Sequence, residues 1–287
     1  MIFLLLSILA STLIFIIFKS FTKYNVNTFH AIIINYAIAC FTGVLNYDAP
    51  ISIANIINAK WFLGALFLGF LFISIFNVMA LTAQRNGLSV ASVASKMSVI
   101  IPIMFGLYAY NESANALKVI GIILALVAVY LTSIKNKSIG FTTKGLWLPL
   151  TLFLGSGILD TTLKYIETTH VAKNGIPIFS ATIFFIAGCI GVITLGAKSI
   201  KTKINFNYKS VVGGFVLGIV NYYSIYLLLK ALQVDSFESS TIFTINNVAV
   251  VMLTTLLGLL LYREKLYIKN WIGIGFAIVS IILISIS

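Results

Sequence analysis

Acidic residues are scarce in this chain, with seven Asp and Glu against nineteen Lys and Arg in 287 residues, and the four charged types together reach only 9%. A water-soluble domain carries about 25% charged residues. A chain this poor in charge, 60% hydrophobic and with a mean hydropathy of +1.07, cannot cover a core against water. Cysteine is limited to Cys40 and Cys189, each inside an apolar run, which excludes a disulfide framework and a cysteine-rich metal site. His30 and His170 lie far apart at the edges of apolar runs, and the sequence has no H-E-x-x-H, no G-x-S-x-G and no phosphate-binding loop. Nothing supplies a nucleophile with its base or a metal cluster, so neither an enzyme nor a cofactor is expected. The net charge of +12 would suit a nucleic-acid binder. Its lysines and arginines, however, sit in short segments between apolar runs instead of along one face, so nucleic acid is not an expected partner.

What the sequence has in abundance is apolar stretches about 20 residues long, the length a helix needs to cross the roughly 30 Å hydrocarbon core. We count ten, at 1–18, 28–46, 61–83, 89–109, 116–134, 145–166, 176–197, 211–232, 238–261 and 270–286. The first, MIFLLLSILASTLIFIIF, lacks a basic leading region and a small-residue cleavage site, so it reads as helix 1 and not as a targeting peptide. Connections such as RNGLS and YNESAN are short and polar, which leaves the work of this protein inside the bilayer.

The segment KNKSIGFTTKG falls mid-chain and invites a search for internal repeats. A shift of 152 positions superposes Gly106, Leu107, Tyr110 and Glu112 on Gly258, Leu259, Tyr262 and Glu264. It also superposes Ile120-Gly121-Ile122 on Ile272-Gly273-Ile274, and Ala125 on Ala277. Ala80-Leu81 falls on Ala231-Leu232 with one residue of slack, while the earlier helices match more weakly, through Lys19 with Lys164 and Gly43-Val44 with Gly191-Val192. The expected fold is therefore an all-α membrane protein of ten transmembrane helices in two five-helix repeats, 1–134 and 145–287, joined by the loop 135–144. Because five is odd, the second repeat enters the membrane inverted, the architecture of alternating-access transporters.

These features carry a family resemblance. Two five-helix halves, an Ala-Leu pair and small hydroxyl residues before helices 4 and 9, a Glu just after each, and then a Gly-bearing helix resemble the drug/metabolite transporter superfamily, EamA type. The pattern departs from the usual Gly-Glu in having Asn111-Glu112 and Arg263-Glu264, so a different turn is expected there. The resemblance implies a multi-pass protein of the bacterial inner membrane, with a central cavity formed mainly by helices 3, 4, 8 and 9. It also implies a small-molecule substrate, with relatives that handle amino acids, sugar phosphates, nucleotide sugars or drugs. Lipid surrounds such a protein, and a coupling proton or ion and the oligomeric state are left open.

Residues that the bilayer makes expensive point to the working parts. Lys96, in SVASKMSVIIP, lies about 10 Å into helix 4, and a central lysine costs about 2.5 to 3.5 kcal/mol. It reads as a substrate-binding or counter-charge group, or as a lysine whose stem snorkels to the interface. Asp160, in SGILDTTLKY, is the one acid well inside a span, about 22 Å down helix 6. It reads equally as a substrate-binding acid that brackets a cavity with Lys96 or as a helix-end acid paired with Lys164 one turn on. Asn77, Asn221, Asn246 and Asn247 fall on the cavity helices and are substrate-binding candidates, with Tyr222 and Tyr223 as wall residues and Asn35 as a structural hydrogen bonder. Pro102 can kink helix 4, and Gly214-x-x-x-Gly218 favours close helix packing. The leading function is a secondary carrier of an organic metabolite with an anionic group. The alternatives are a proton-coupled exporter of amino acids or cationic compounds, in which Asp160 titrates, and a non-transporting membrane scaffold.

Thirteen Lys and Arg fall in the odd-numbered loops and five in the even-numbered loops and their flanks, which puts the odd loops in the cytoplasm and both termini outside. The family resemblance implies the reverse. A reporter that fluoresces only in the cytoplasm should therefore be dark after Ser287 and bright near Lys201, and the opposite pattern would invert the assignment.

Overall fold

The structure, a computed structural model, describes residues 2–47, 49–109, 116–133, 146–172, 175–200, 207–232 and 239–286. Among these residues there are helices and no strands. The helices are α1 (Ile2–Lys23), α2 (Thr28–Leu45), α3 (Ile53–Ile57), α4 (Phe62–Arg85), α5 (Leu88–Met97), α6 (Ile100–Ala109), α7 (Ala116–Ser133), α8 (Trp147–His170), α9 (Ile176–Ser199), α10 (Tyr208–Leu232), α11 (Ser239–Tyr262) and α12 (Ile268–Ser285). Helix is what hydrocarbon demands, since every backbone group must be paired within its own segment. Each expected span coincides with a helix, except that the fourth is divided between α5 and α6, and the short α3, capped by the Ser52 hydroxyl, was not foreseen. Seven segments among the described residues are long and apolar enough to cross a membrane: α1, α2, α4, Leu88–Phe105, α9, Tyr208–Leu228 and Ile245–Tyr262. The apolar stretches Val119–Thr132 and Ile268–Ile284 are shorter, and α8, which carries Asp160, Lys164 and Glu167, is not among the seven. Large apolar side chains such as Leu63, Ile193 and Leu260 stay more than 60% exposed, as suits faces solvated by lipid. The chain is an all-α, multi-pass membrane protein.

The helices gather into two compact units, one of residues 1–20, 78–158 and 223–287, the other of residues 21–77 and 159–222. Both halves of the sequence contribute to both units, so the compact units divide the chain differently from the expected repeats 1–134 and 145–287.

In the second unit α2 packs along α9. A Cβ built on Gly43 would lie 3.1 Å from Ala181 Cβ, and one on Gly191 would lie 2.7 Å from Ile33 Cγ1. Gly43 and Gly191 are 148 positions apart, and so are their partners Ile33 and Ala181. Tyr36 and Phe184, again 148 apart, stack on each other with ring centroids 6.0 Å apart, and Phe72 and Phe76 of α4 close around them. In α10, Gly214 and Gly218 let α2 approach until a Cβ would stand 2.5 Å from the Ala31 carbonyl and 2.7 Å from Ile38 Cβ. The small-residue motif read from the sequence is thus a helix contact.

In the first unit α7 packs along α12. A Cβ on Gly121 would meet Ile284 Cγ1 at 2.7 Å, and one on Gly273 would meet Thr132 at 2.9 Å. The two glycines, and likewise Thr132 and Ile284, are 152 positions apart, the shift found in the sequence. Ala125 and Ala277 are fully buried in the same cluster, and the Ser280 hydroxyl donates to the Gly121 carbonyl at 2.7 Å.

The first unit also shows how α5 is held. Gly87 stands at its N-cap with φ 112° and ψ 164°, a conformation nearly restricted to glycine, and it offers no side-chain cap. The missing acceptor comes from far along the chain, where Glu264 Oε1 accepts the Leu88 N–H at 2.8 Å. Lys19 Nζ lies 3.6 Å from the same carboxylate and also donates to the Gln84 carbonyl. Arg263, with φ 49°, ends α11 in the left-handed conformation and turns the Glu264 N–H back to the Gly258 carbonyl at 3.0 Å. Arg263 thus takes the left-handed backbone that a glycine favours at a helix end, and the matching Glu112 lies outside the described residues. At the other end of α5 the helix breaks at Ser98 and Val99. The cause is Pro102, which has no N–H to give Ser98, four residues back, and whose ring crowds that carbonyl. The Ser98 carbonyl instead takes the Ile101 N–H at 2.9 Å.

Glu264→Ala should lower stability by about 1 to 2 kcal/mol through loss of the cap. Gly87→Ala should cost about 1 to 3 kcal/mol, from its backbone conformation and from a Cβ placed 2.9 Å from Glu264 Oε1. Glu264→Gln, which keeps a carbonyl acceptor, should fall between wild type and Glu264→Ala. Melting temperatures in detergent order the variants, and equal melting of Glu264→Ala and wild type would remove Glu264 as the cap of α5.

Candidate functional site

The break after Met97 changes the setting of Lys96. The expectation of a lysine inside one continuous helix 4 is corrected, because Lys96 stands in the last turn of the short α5, where exposed carbonyls favour a cation. Its side chain is half-buried. Ser89, Ser92 and Lys96 follow one another at spacings of three and four, so they share a face of α5.

That face meets α11. Thr254 Oγ1 donates to Ser92 Oγ at 2.7 Å, and a Cβ on Gly258 would lie 3.5 Å from Leu88 Cβ. Four residues forward on α5 therefore match four residues back on α11, an antiparallel register. Continued along the pair, it sets Lys96 level with Val250, the break level with Val248 and Asn247, and Asn246 just beyond it. Asn246 is 1% exposed, and its Oδ1 has no hydrogen-bond partner among the described residues. Ser89 Oγ, Ser156 Oγ and Thr255 Oγ1 of the same unit are also buried without a partner there. Each such atom costs about 1 to 3 kcal/mol. A cation at a helix end and an unsatisfied amide acceptor one turn further along the helix pair are suited to hold a ligand with both an anionic and a donor group.

The other candidates belong to the second unit. Asn221 Nδ2 donates to Asn35 Oδ1 at 3.2 Å, both residues being buried, so Asn221 joins α10 to α2 beside Gly218. Tyr222 is buried, and Tyr223, of the first unit, is exposed and meets the Tyr226 ring edge-on. Asn77 turns its Nδ2 back to the Ile73 carbonyl of its own helix at 2.7 Å. Asp160 is exposed and lies well inside α8, which runs on to His170, so it is not a helix-end acid. Lys96, Asn246 and Asn247 thus share one unit, and Asn77, Asp160, Asn221 and Tyr222 the other. Sequence reasoning missed the Ser92–Thr254 bond and the capping role of Glu264. The only signal for the latter was a Glu repeated after helices 4 and 9.

No protein-family model matches the chain. An uncharacterized protein of Haemophilus influenzae (strain ATCC 51907 / DSM 11121 / KW20 / Rd) is 29% identical over 293 residues, covering 97% of this chain and 95% of that protein. A crystal structure of another protein shares the fold with a TM-score of 0.59 at 11% identity, covering 98% of this chain and 97% of the other. The fold is therefore one already seen in a crystal, along nearly the whole chain.

The Asn35–Asn221 pair predicts a measurable coupling. Alanine at both positions, set against each single change, should give an interaction of about 0.6 kcal/mol, the average for such bonds within membranes. Strict additivity of the three unfolding free energies would mean that the bond carries no stability.

Proposed function

We propose that this chain is a secondary transporter of the drug/metabolite transporter superfamily, EamA type, which moves a small polar metabolite with an anionic group across a bacterial inner membrane by alternating access. The observation that carries the reading is reciprocity. Gly121 meets Ile284 as Gly273 meets Thr132, and Gly43 meets Ala181 as Gly191 meets Ile33. When residue i of one copy touches residue j of the other and j touches i, the copies are related by a two-fold axis. On this reading the five-helix repeats are inverted in the membrane, with ten spans in which α5 and α6 together form the fourth. Two equivalent halves can exchange conformations, which opens a site to each side in turn. The bacterial source of the relative is in keeping with this location.

Substrate recognition is assigned to Lys96 with Asn246 and Asn247. Lys96→Met keeps the length of the side chain and removes its charge. Stability should hold or rise, while affinity for an anionic substrate falls by about 2 to 5 kcal/mol, the usual loss on truncating one member of a buried charge pair. Lys96→Arg should restore only part of it, since guanidinium is planar and larger. The substrate is first sought by thermal shift against anionic, zwitterionic and cationic metabolites. Unchanged affinity in Lys96→Met would move attention to Asn246, Asn247 and Asp160.

A second reading, a proton-coupled exporter of amino acids or cationic compounds, is favoured by the position of Asp160 inside α8. Asp160→Asn should then abolish or uncouple transport in a protein that still inserts and stays monodisperse. Full activity with an unaltered pH profile would leave Asp160 without a part in coupling.

A further inference from the structure

Four helix ends converge in the second unit, those of α1, α2, α9 and α10. Phe21 and Val26, where α1 gives way to α2, approach Gly213 near the start of α10. The Asn27 N–H, at the cap of α2, donates to Ser210 Oγ of α10 at 3.1 Å. The end of α9 joins them through Lys198, whose Nζ lies 4.7 Å from the Phe29 ring centroid. Two helix N-termini, those of α2 and α10, thus lie side by side with their partial positive charge. Lys23, Lys198 and Lys209 add full charges, and residues 21–34, 194–200 and 207–213 contain no Asp or Glu. Lys23 and Lys198 are exposed, and each lies over an aromatic ring, Tyr24 and Phe29. Tyr24 and Tyr208 are 58% and 73% exposed, as suits amphipathic rings at the level of lipid headgroups.

We propose that this end of the second unit, bearing Lys23, Lys198 and Lys209 around the N-termini of α2 and α10, binds the headgroup phosphate of an anionic phospholipid of the surrounding bilayer. Charge complementarity selects the occupant. The patch is cationic, it stands at the end of membrane-crossing helices, and anionic lipid is the phosphate held there by the membrane itself. Its aromatic rings give the glycerol and upper acyl region an apolar seat beside the charge. The site is independent of Lys96 and of any transported substrate.

The test is native mass spectrometry of the full chain purified in mixed lipid, reading retained phosphatidylglycerol against phosphatidylcholine of the same acyl chains. Wild type should retain the anionic lipid preferentially. A lysine near an anionic surface contributes roughly five-fold, so Lys198→Gln with Lys209→Gln should lower the preference by about 30-fold. Lys60→Gln, at an exposed lysine before α4, should leave it unchanged. Should the double variant not be recovered folded, raised salt applied to wild type should erode the same preference. Equal retention of the two lipids by wild type, a double variant or high-salt sample that keeps its preference, or displacement of the lipid by soluble glycerol phosphate would each overturn the proposal.

Discussion

Lipid tails are as apolar as the side chains they touch, so no hydrophobic force draws one helix to another within a bilayer. Close approach has to supply the attraction. In this protein small residues at fixed positions let backbones come within contact distance, Gly43 and Gly191 between α2 and α9, and Gly121 and Gly273 between α7 and α12. Those contacts fix two antiparallel registers. Dispersion falls off steeply with a gap of even an ångström, so the polar residues are placed only as accurately as these glycines allow.

The polar interior follows a second rule, that helix ends within a membrane protein need partners from the chain itself. At its start α5 uses the carboxylate of Glu264, which also faces Lys19. At its end Pro102 cuts the helix and leaves Lys96 near the last carbonyls. A short helix of ten residues results, tied at one end by a charge-assisted hydrogen bond and to α11 midway by Ser92 and Thr254. The candidate site lies at its other end, beyond the two ties.

The sequence made the helices legible because a run of apolar residues bounded by polar turns has one meaning at this composition. The internal similarity was legible where small residues and Tyr-x-Glu recurred 152 positions apart, and the reciprocal contacts of Gly121 and Gly273 fall at that spacing, while those of Gly43 and Gly191 fall at 148. Less visible were features that depend on distant chain. A sequence can show Pro102 but not that the strain is relieved four residues earlier, which moved Lys96 from a helix interior to a helix end. Asn221 looked like a cavity residue, and its bond to Asn35 lies 186 positions away along the chain. Asp160 read as much like a helix-end acid paired with Lys164 as an interior one, until α8 is seen to continue to His170.

The Leu88 N–H and the Glu264 carboxylate that accepts it are 176 positions apart. A ribosome adds roughly 5 to 20 residues per second, so about 9 to 35 s pass between the synthesis of the donor and that of its acceptor. Throughout that interval the start of α5 is already made and has no carboxylate to meet. The cap of α5 can therefore form only after the turn that follows α11 has been synthesised.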